Sequence, residues 1–269
     1  MMPTTARRCL SVVATLGAAT AVAFVGGGAA QAAGANYVAL GDSYSSGVGA
    51  GNYTSSSGSC DRSTNAYSQL WANANAPSSY TSVACSGATT SDVLSGQVSA
   101  LSSATTLVSI TIGGNDVGFS SVMETCVLDS TSSCVSAVNT AESEAKTQLP
   151  AKLDAVYAAI KADAPNARVV VLDYPELYDL SQSSSCIGLS TTDRQDLNAA
   201  ADTLDGVIQT EAAKYGDTFA DVRSAFSGHE ICDSNSWLHS VNILDIDESY
   251  HPTASGQSGA FYPVFSSHA

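Results

Sequence analysis

A serine hydroxyl becomes a useful nucleophile only when a neighbouring base takes its proton. In this 269-residue chain one serine stands where such chemistry is commonly placed. The apolar run Tyr37-Val38-Ala39-Leu40 breaks at Gly41, and Asp42 and Ser43 follow, leading into a loop rich in glycine and serine. Four histidines are candidate bases. His251, in Glu248-Ser249-Tyr250-His251-Pro252, leads into the last predicted helix and is the first choice; His229 and His239, in loop-like sequence, stay open as alternatives. His268 lies at the frayed end, and each of the four can equally be read as an ordinary surface histidine. A second polar signature, Gly113-Gly114-Asn115-Asp116, follows the strongest apolar run. Asn115 offers an amide donor that is neutral at any working pH, or merely caps a helix. Asp42 reads as a turn former, Asp116 as a support for its own loop. The acidic residues Asp245, Asp247 and Glu248 match no calcium-loop spacing and read as a solvated run.

These groups need elements to position them. Short strands are expected at 37–40, 80–85, 107–112, 168–172 and 218–222, with helices at 65–76, 91–101, 134–162, 191–214 and 253–265. Thr90 or Ser91 is a candidate cap for the second helix, and Pro150 marks a break or a fresh start in the third. Alternation of strand and helix predicts an α/β fold: a three-layer α/β/α sandwich on a flavodoxin-like five-stranded parallel sheet of order 2-1-3-4-5. In that order the first and third strands flank the switch point, so Ser43 and Asn115 would converge on one crevice.

The amino terminus does not read as part of that fold. Arg7 and Arg8 precede an apolar stretch from Leu10 to Val25, and Ala30-Gln31-Ala32 supplies small residues for cleavage. Residues 1–33 are expected to be a secretory signal peptide, and 34–269 a single domain. The full chain carries 10 basic and 25 acidic residues, a net charge of −15, and loss of the leader makes it more acidic still. Such a surface argues against nucleic acid and against tight binding to anionic membranes. Of seven cysteines, Cys9 belongs to the leader. The other six, in an exported chain, suggest disulfides. Pairing neighbours (Cys60 with Cys85, Cys126 with Cys134, Cys186 with Cys232) closes the shortest loops, with other connectivities open in principle. No Cys-x-x-Cys occurs, which speaks against zinc and thioredoxin-type chemistry.

Four separated blocks then fall in one order: Gly41-Asp42-Ser43, Gly87 within Cys85-Ser86-Gly87-Ala88, Gly113-Gly114-Asn115-Asp116, and His251-Pro252. In this the chain resembles the SGNH, or GDSL-like, hydrolases, and among them the secreted actinobacterial (Streptomyces-type) lipase, esterase and phospholipase group. The resemblance implies Ser43 as nucleophile and His251 as base. It implies an oxyanion hole made of the Ser43 and Gly87 backbone N–H groups and the Asn115 side-chain amide. One position departs from the family: the residue three before the histidine is usually Asp and here is Glu248. Either Glu248 orients the imidazole from one methylene further away, or a backbone carbonyl, that of Ser249, does so and leaves a serine–histidine dyad.

The implied activity is hydrolysis of fatty-acyl esters of phospholipids or glycerides, of sn-1 acyl hydrolase type, with no metal or organic cofactor and by a secreted monomer without a stable membrane anchor. An acetyl esterase acting on carbohydrate is the alternative, and a non-catalytic surface-binding protein a more distant one. No Gly-x-Ser-x-Gly occurs, so an α/β-hydrolase elbow is absent. Gly47-Val48-Gly49-Ala50-Gly51 lacks dinucleotide-loop spacing and reads as a flexible rim of the ester pocket. Tyr44, Phe119 and Tyr250 are candidates for the apolar pocket wall or for the core. No long amphipathic lid is evident, which predicts an open crevice without interfacial activation.

Overall fold

The structure, a computed structural model, describes residues 34–182 and 188–269. The expected leader and Cys186 lie outside the described residues. Five parallel strands form one sheet: β1 (Asn36–Gly41), β2 (Ser79–Ser82), β3 (Leu107–Thr111), β4 (Arg168–Leu172) and β5 (Thr218–Ala220). Their spatial order is β2-β1-β3-β4-β5, as the alternation of elements predicts. The central strands are buried on both faces, which is why Val169-Val170-Val171-Leu172 is a continuous apolar run instead of an alternating one. One face carries α4 (Thr131–Thr147), α5 (Leu149–Asp163) and α6 (Thr191–Lys214), the other α2 (Tyr67–Asn75) and the helical stretch 254–268. On that second face Tyr37, Tyr67, Trp71 and Phe265 interlock, with ring centroids 5.2–5.7 Å apart. A single turn, α1 (Ser43–Ser46), follows β1 directly.

Three elements differ from the sequence expectations. The second strand ends at Ser82, although Val83 and Cys85 still donate to the Ala39 and Gly41 carbonyls of β1, at 2.9 and 3.0 Å. The fifth ends at Ala220 because the Val222 N–H turns to the Asp173 carboxylate, 2.7 Å away. The stretch 90–100 is not one regular helix: it starts on a Thr89–Asp92 capping box, widens to a π turn over Val93–Gln97 and tightens at Val98–Ala100. Pro150 does begin a fresh helix, α5. A helix that the sequence reading omits, α3 (Phe119–Leu128), enters through the left-handed Gly118 with no side-chain cap to announce it.

Two buried glutamines staple the elements around the end of β1. Gln97 accepts from the Gly41 N–H (2.7 Å) and donates to the Gly41 carbonyl (2.8 Å). Gln257 accepts from the Tyr67 N–H (2.9 Å) and donates to the Tyr44 carbonyl (3.0 Å), tying the last helical stretch to α1 and α2. The Gly41 carbonyl has a second donor in Cys85, but its N–H relies on Gln97. Gln97→Leu is therefore expected to destabilise the domain by about 1–3 kcal/mol through one buried, unpaired N–H, a loss that urea unfolding would measure.

Candidate active site

Gly41, with φ of 120°, turns the chain out of β1 so tightly that a Cβ there would collide with the Thr111 carbonyl. Asp42 follows as the N-cap of α1: its N–H donates to the Thr111 carbonyl at 3.0 Å and its Oδ1 accepts from the Tyr44 N–H at 2.9 Å. The other carboxylate oxygen accepts from the Tyr174 hydroxyl, which in turn accepts from the Gly114 N–H at 3.0 Å. Asp42 and Tyr174 thus join the loop after β1 to the loop after β3. Burial pushes the Asp42 carboxyl up to about 7, against the hydrogen bonds from Tyr174 and from the Tyr44 and Ser45 backbone. Ser43 is left as the first residue of a one-turn helix, where its own N–H has no intrahelical acceptor.

His251 arrives from the far end of the chain. Its Nε2 lies 2.7 Å from Ser43 Oγ, and its Nδ1 lies 3.0 Å from the Ser249 carbonyl. A carbonyl can only accept, so Nδ1 carries the proton and Nε2 presents a lone pair to the serine hydroxyl. The imidazole is in the tautomer a general base requires. Burial pulls its pKa down to about 4; the Ser249 hydrogen bond opposes that shift, and nearby His239 adds to it.

Of the two orienting groups the sequence left open, the Ser249 carbonyl meets the imidazole and Glu248 lies elsewhere. Its carboxylate accepts from the Tyr53 hydroxyl at 2.7 Å, and Tyr53 accepts from the Gly49 N–H at 2.9 Å. Glu248 closes the 3₁₀ turn Ile246–Glu248 with its side chain on Tyr53, and the backbone of the next residue, Ser249, faces the imidazole instead. The other histidines are engaged elsewhere. His229 stacks on Trp237 with ring centroids 3.6 Å apart, and His239 Nε2 donates to the Gly49 carbonyl at 2.8 Å. His268 meets the Val264 carbonyl in the last helix.

His251 is held by a short antiparallel crossing. Tyr250 donates its N–H to the His239 carbonyl (3.0 Å), His239 donates to the His251 carbonyl (2.9 Å), and Leu238 bridges Pro252. Tyr250 adopts a left-handed φ of 65°, rare for a bulky residue, and its carbonyl accepts from the Tyr44 hydroxyl at 2.7 Å. Gly49 packs behind this segment: a Cβ there would lie 2.8 Å from the Pro252 carbonyl and 3.0 Å from His251 Cβ. The glycine loop is thus a packed support, with Val48 and Ala50 buried, and not the flexible rim expected from its composition.

Gly87 and Asn115 share a cleft wall with Ser43. Gly87 has φ of 74°, and no protein atom lies within 4 Å of where its Cβ would be, so the left-handed turn, not crowding, selects glycine. The turn is fixed by the Cys60–Cys85 disulfide and by the Ser86 N–H on the Cys60 carbonyl at 3.1 Å. Among the described residues no acceptor meets the Ser43 or Gly87 N–H. Asn115 spends one amide hydrogen on the Ala88 carbonyl at 2.9 Å, which aims the other. Asp116 supports this loop by accepting from both the backbone and the hydroxyl of Thr90, at 2.8 and 2.6 Å. Three donors with free hydrogens beside a serine–histidine pair can stabilise an oxyanion as it forms.

The cleft has a volume of about 740 Å³, and its walls are mostly apolar. Phe119, Val122 and Met123 come from α3, Ala145 from α4, and Leu197 and Leu204 from α6. Tyr44, Phe119 and Tyr250 all line it, as the sequence reading allowed, though Tyr44 and Tyr250 are largely buried. The Cys126–Cys134 disulfide pins α3 to α4 at this wall. The third expected pair involves Cys186, outside the described residues. Phe119 is the one residue of the α3 wall that the sequence reading names; the helix carrying it is not, although Val122, Met123, Cys126 and Val127 repeat with helical spacing. Among the described residues no cluster of potential ligands could hold a metal ion, and no helix is long and apolar enough to cross a membrane.

Comparison with known proteins gives a consistent picture. Residues 39–258 match the GDSL-like Lipase/Acylhydrolase family. The chain is 58% identical to Lipase 1 of Streptomyces coelicolor over 94% of both chains. The solved phospholipase A1 of Streptomyces albidoflavus superposes with a TM-score of 0.85 at 55% identity, covering 88% of this chain and 100% of that one. An extracellular lipase of Streptomyces rimosus gives a TM-score of 0.85 at 51% identity, over 87% of this chain and 99% of the other.

Glu248→Gln keeps an acceptor for Tyr53, so kcat/KM on a soluble ester is expected to stay within a factor of about three. A fall approaching the roughly 10⁴-fold typical of a lost orienting carboxylate would return Glu248 to the catalytic set.

Proposed function

The chain belongs to the GDSL-like lipase/acylhydrolase family, and from that premise we propose that it releases fatty acids from lipid esters through an acyl-enzyme at Ser43. It is a carboxylic ester hydrolase. The observation that carries the lipid reading is the 2.7 Å contact between His251 Nε2 and Ser43 Oγ beside an apolar cleft of about 740 Å³. A cleft of that size and character suits an acyl chain better than a sugar, whose hydroxyls would need partners. The resemblance to a phospholipase A1 and to lipases supports phospholipids and glycerides as substrates, with the phospholipid cut at the sn-1 ester.

In the proposed reaction Ser43 Oγ attacks the ester carbonyl carbon while its proton passes to His251 Nε2. The carbonyl oxygen becomes an oxyanion facing the Ser43 and Gly87 N–H groups and the Asn115 amide. Collapse expels the alcohol, which takes the proton from Nε2 and leaves the acyl-serine. Water then loses a proton to His251, attacks the acyl carbon, and the fatty acid departs as Ser43 regains its hydrogen. The imidazolium formed at each step is stabilised by the Ser249 carbonyl dipole and, at longer range, by the charge of Asp247. We propose export as well: disulfides persist in oxidising compartments, and a relative is an extracellular lipase.

The substrate is tested by acid release from phosphatidylcholine, a triglyceride and an acetylated xylan beside a Ser43→Ala variant. Fatty acid from the two lipids is expected, falling by about 10⁴-fold or more in the variant; release from xylan alone would overturn the lipid reading. The pH profile tests the base. His251 must be neutral to accept a proton, and its pKa is depressed to about 4. On a soluble ester kcat/KM should therefore hold level from neutrality to near pH 5. Below about pH 4 it should fall about tenfold per unit. An inflection near 6.5 would mean that burial does not depress this histidine.

A further inference from the structure

The loop that delivers His251 carries three large aliphatic side chains into solvent: Ile243 is 87% exposed, Leu244 95% and Ile246 65%. Isolated exposed apolar residues are ordinary, but a contiguous group beside a binding cleft marks an interaction surface. Ile243 and Ile246 line the cleft, together with Val241. From α3, Val127 and Leu128 line it too, and Leu128 is 71% exposed. Apolar side chains of the cleft lining thus continue from the reacting serine's cleft out to the solvent-facing tips of two elements.

The loop is held in shape. The Asn242 N–H donates to Ser249 Oγ at 2.8 Å, and Asn242 Oδ1 accepts from the Leu244 and Asp245 N–H groups at 3.1 and 3.3 Å. Glu248, displaced from the imidazole, approaches Asn242 Nδ2 at 3.5 Å and binds Tyr53, so the loop's base is tied to the glycine loop behind His251. Leu244 is presented at the tip of a braced turn.

We infer that the 241–246 loop and the end of α3 form an anchor that seats the cleft mouth on a zwitterionic phospholipid surface. Continuity with the cleft points to lipid: an acyl chain drawn out of such a surface would pass over apolar side chains all the way to Ser43. Charge selects which lipid surface. Segments 119–129 and 234–250 contain no lysine or arginine, while Glu124, Asp129, Asp245 and Asp247 are all exposed there. An anionic surface would be repelled. The inference rests on the lipid-ester reading of the site and adds what brings that site to its substrate. Adsorption of this kind needs no lid to open.

Leu244 lies outside the cleft lining, so Leu244→Glu separates anchoring from chemistry. In the Ser43→Ala background, cosedimentation with phosphatidylcholine vesicles is expected, and adding Leu244→Glu should weaken it by about tenfold or more. In the active enzyme Leu244→Glu should slow vesicle hydrolysis to a similar degree while leaving a soluble short-chain ester unaffected. Replacing a third of the phosphatidylcholine with phosphatidylglycerol should weaken adsorption. Equal binding with and without Leu244→Glu, or tighter binding to the anionic vesicles, would overturn the anchor. So would a dimer in solution that Leu244→Glu dissolves, since the surface would then belong to a second copy. Adsorption without fatty-acid release would support the anchor and overturn the lipid-hydrolase reading, and release untouched by Leu244→Glu would do the reverse.

Discussion

Parallel pairing sets Gly41 opposite Thr111, and the groups of the proposed reaction hang from that junction. The Thr111 carbonyl accepts from Asp42 and its N–H donates to Ser45 Oγ at 3.0 Å, so the turn bearing Ser43 is bound to the neighbouring strand on both sides of the serine. Gln97 holds the last peptide of β1 from beneath, and Tyr174 bridges Asp42 to the loop that bears Asn115. A nucleophile is useful only if its donors and base meet it within a few tenths of an ångström. Here that tolerance is met by backbone and side-chain hydrogen bonds at the carboxyl ends of two interior strands, among the stiffest parts of an α/β domain. The disulfide at Cys85 extends the same stiffness to Gly87.

Orientation of the histidine by a backbone carbonyl has an electrostatic consequence. A carboxylate partner would stabilise the imidazolium with a full charge, whereas the Ser249 carbonyl offers a dipole. Burial, which this dipole only partly offsets, therefore keeps the imidazole neutral well into acid; that leaves it free to accept a proton but makes it a weaker base and the protonated form more costly. In the proposed reaction the oxyanion donors would carry a correspondingly larger share of the stabilisation. That division fits a site whose three donors lie on rigid turns while its base sits on a loop.

That loop also joins chemistry to surface. Residues 241–251 run from exposed aliphatic side chains, through the Glu248–Tyr53 contact, to the left-handed Tyr250 and the imidazole. The strain at Tyr250 is held by Tyr44, which is itself packed edge-on against Tyr174 with ring centroids 5.0 Å apart. The same aromatic pair thus supports the nucleophile turn and the base. An acidic exterior surrounding an apolar mouth keeps the domain soluble while leaving the mouth free to meet uncharged chains.

Much of this was legible in the sequence because it depends on local chemistry. Period and punctuation marked all five strands, and the position of Gly41-Asp42-Ser43 at a strand end followed from the break in an apolar run. Alternation of strand and helix implied the parallel order, and hence that the loops after β1 and β3 meet. The helix α3 escaped because its entry through Gly118 offers no capping side chain, and the glycine loop was misread because composition reports freedom, not packing. Residue chemistry alone left His229 and His239 open beside His251 and the four-block resemblance singled out His251, but only the tertiary structure shows that His239 meets Gly49 while His251 meets Ser43. Glu248 could be weighed against the Ser249 carbonyl only once Tyr53, nearly two hundred residues earlier in the chain, was seen to claim the carboxylate. A sequence states which groups are available within a turn or two of one another. Which of them touch at the carboxyl ends of the strands is decided by the fold, because those contacts join positions whose separation in the chain carries no information about distance.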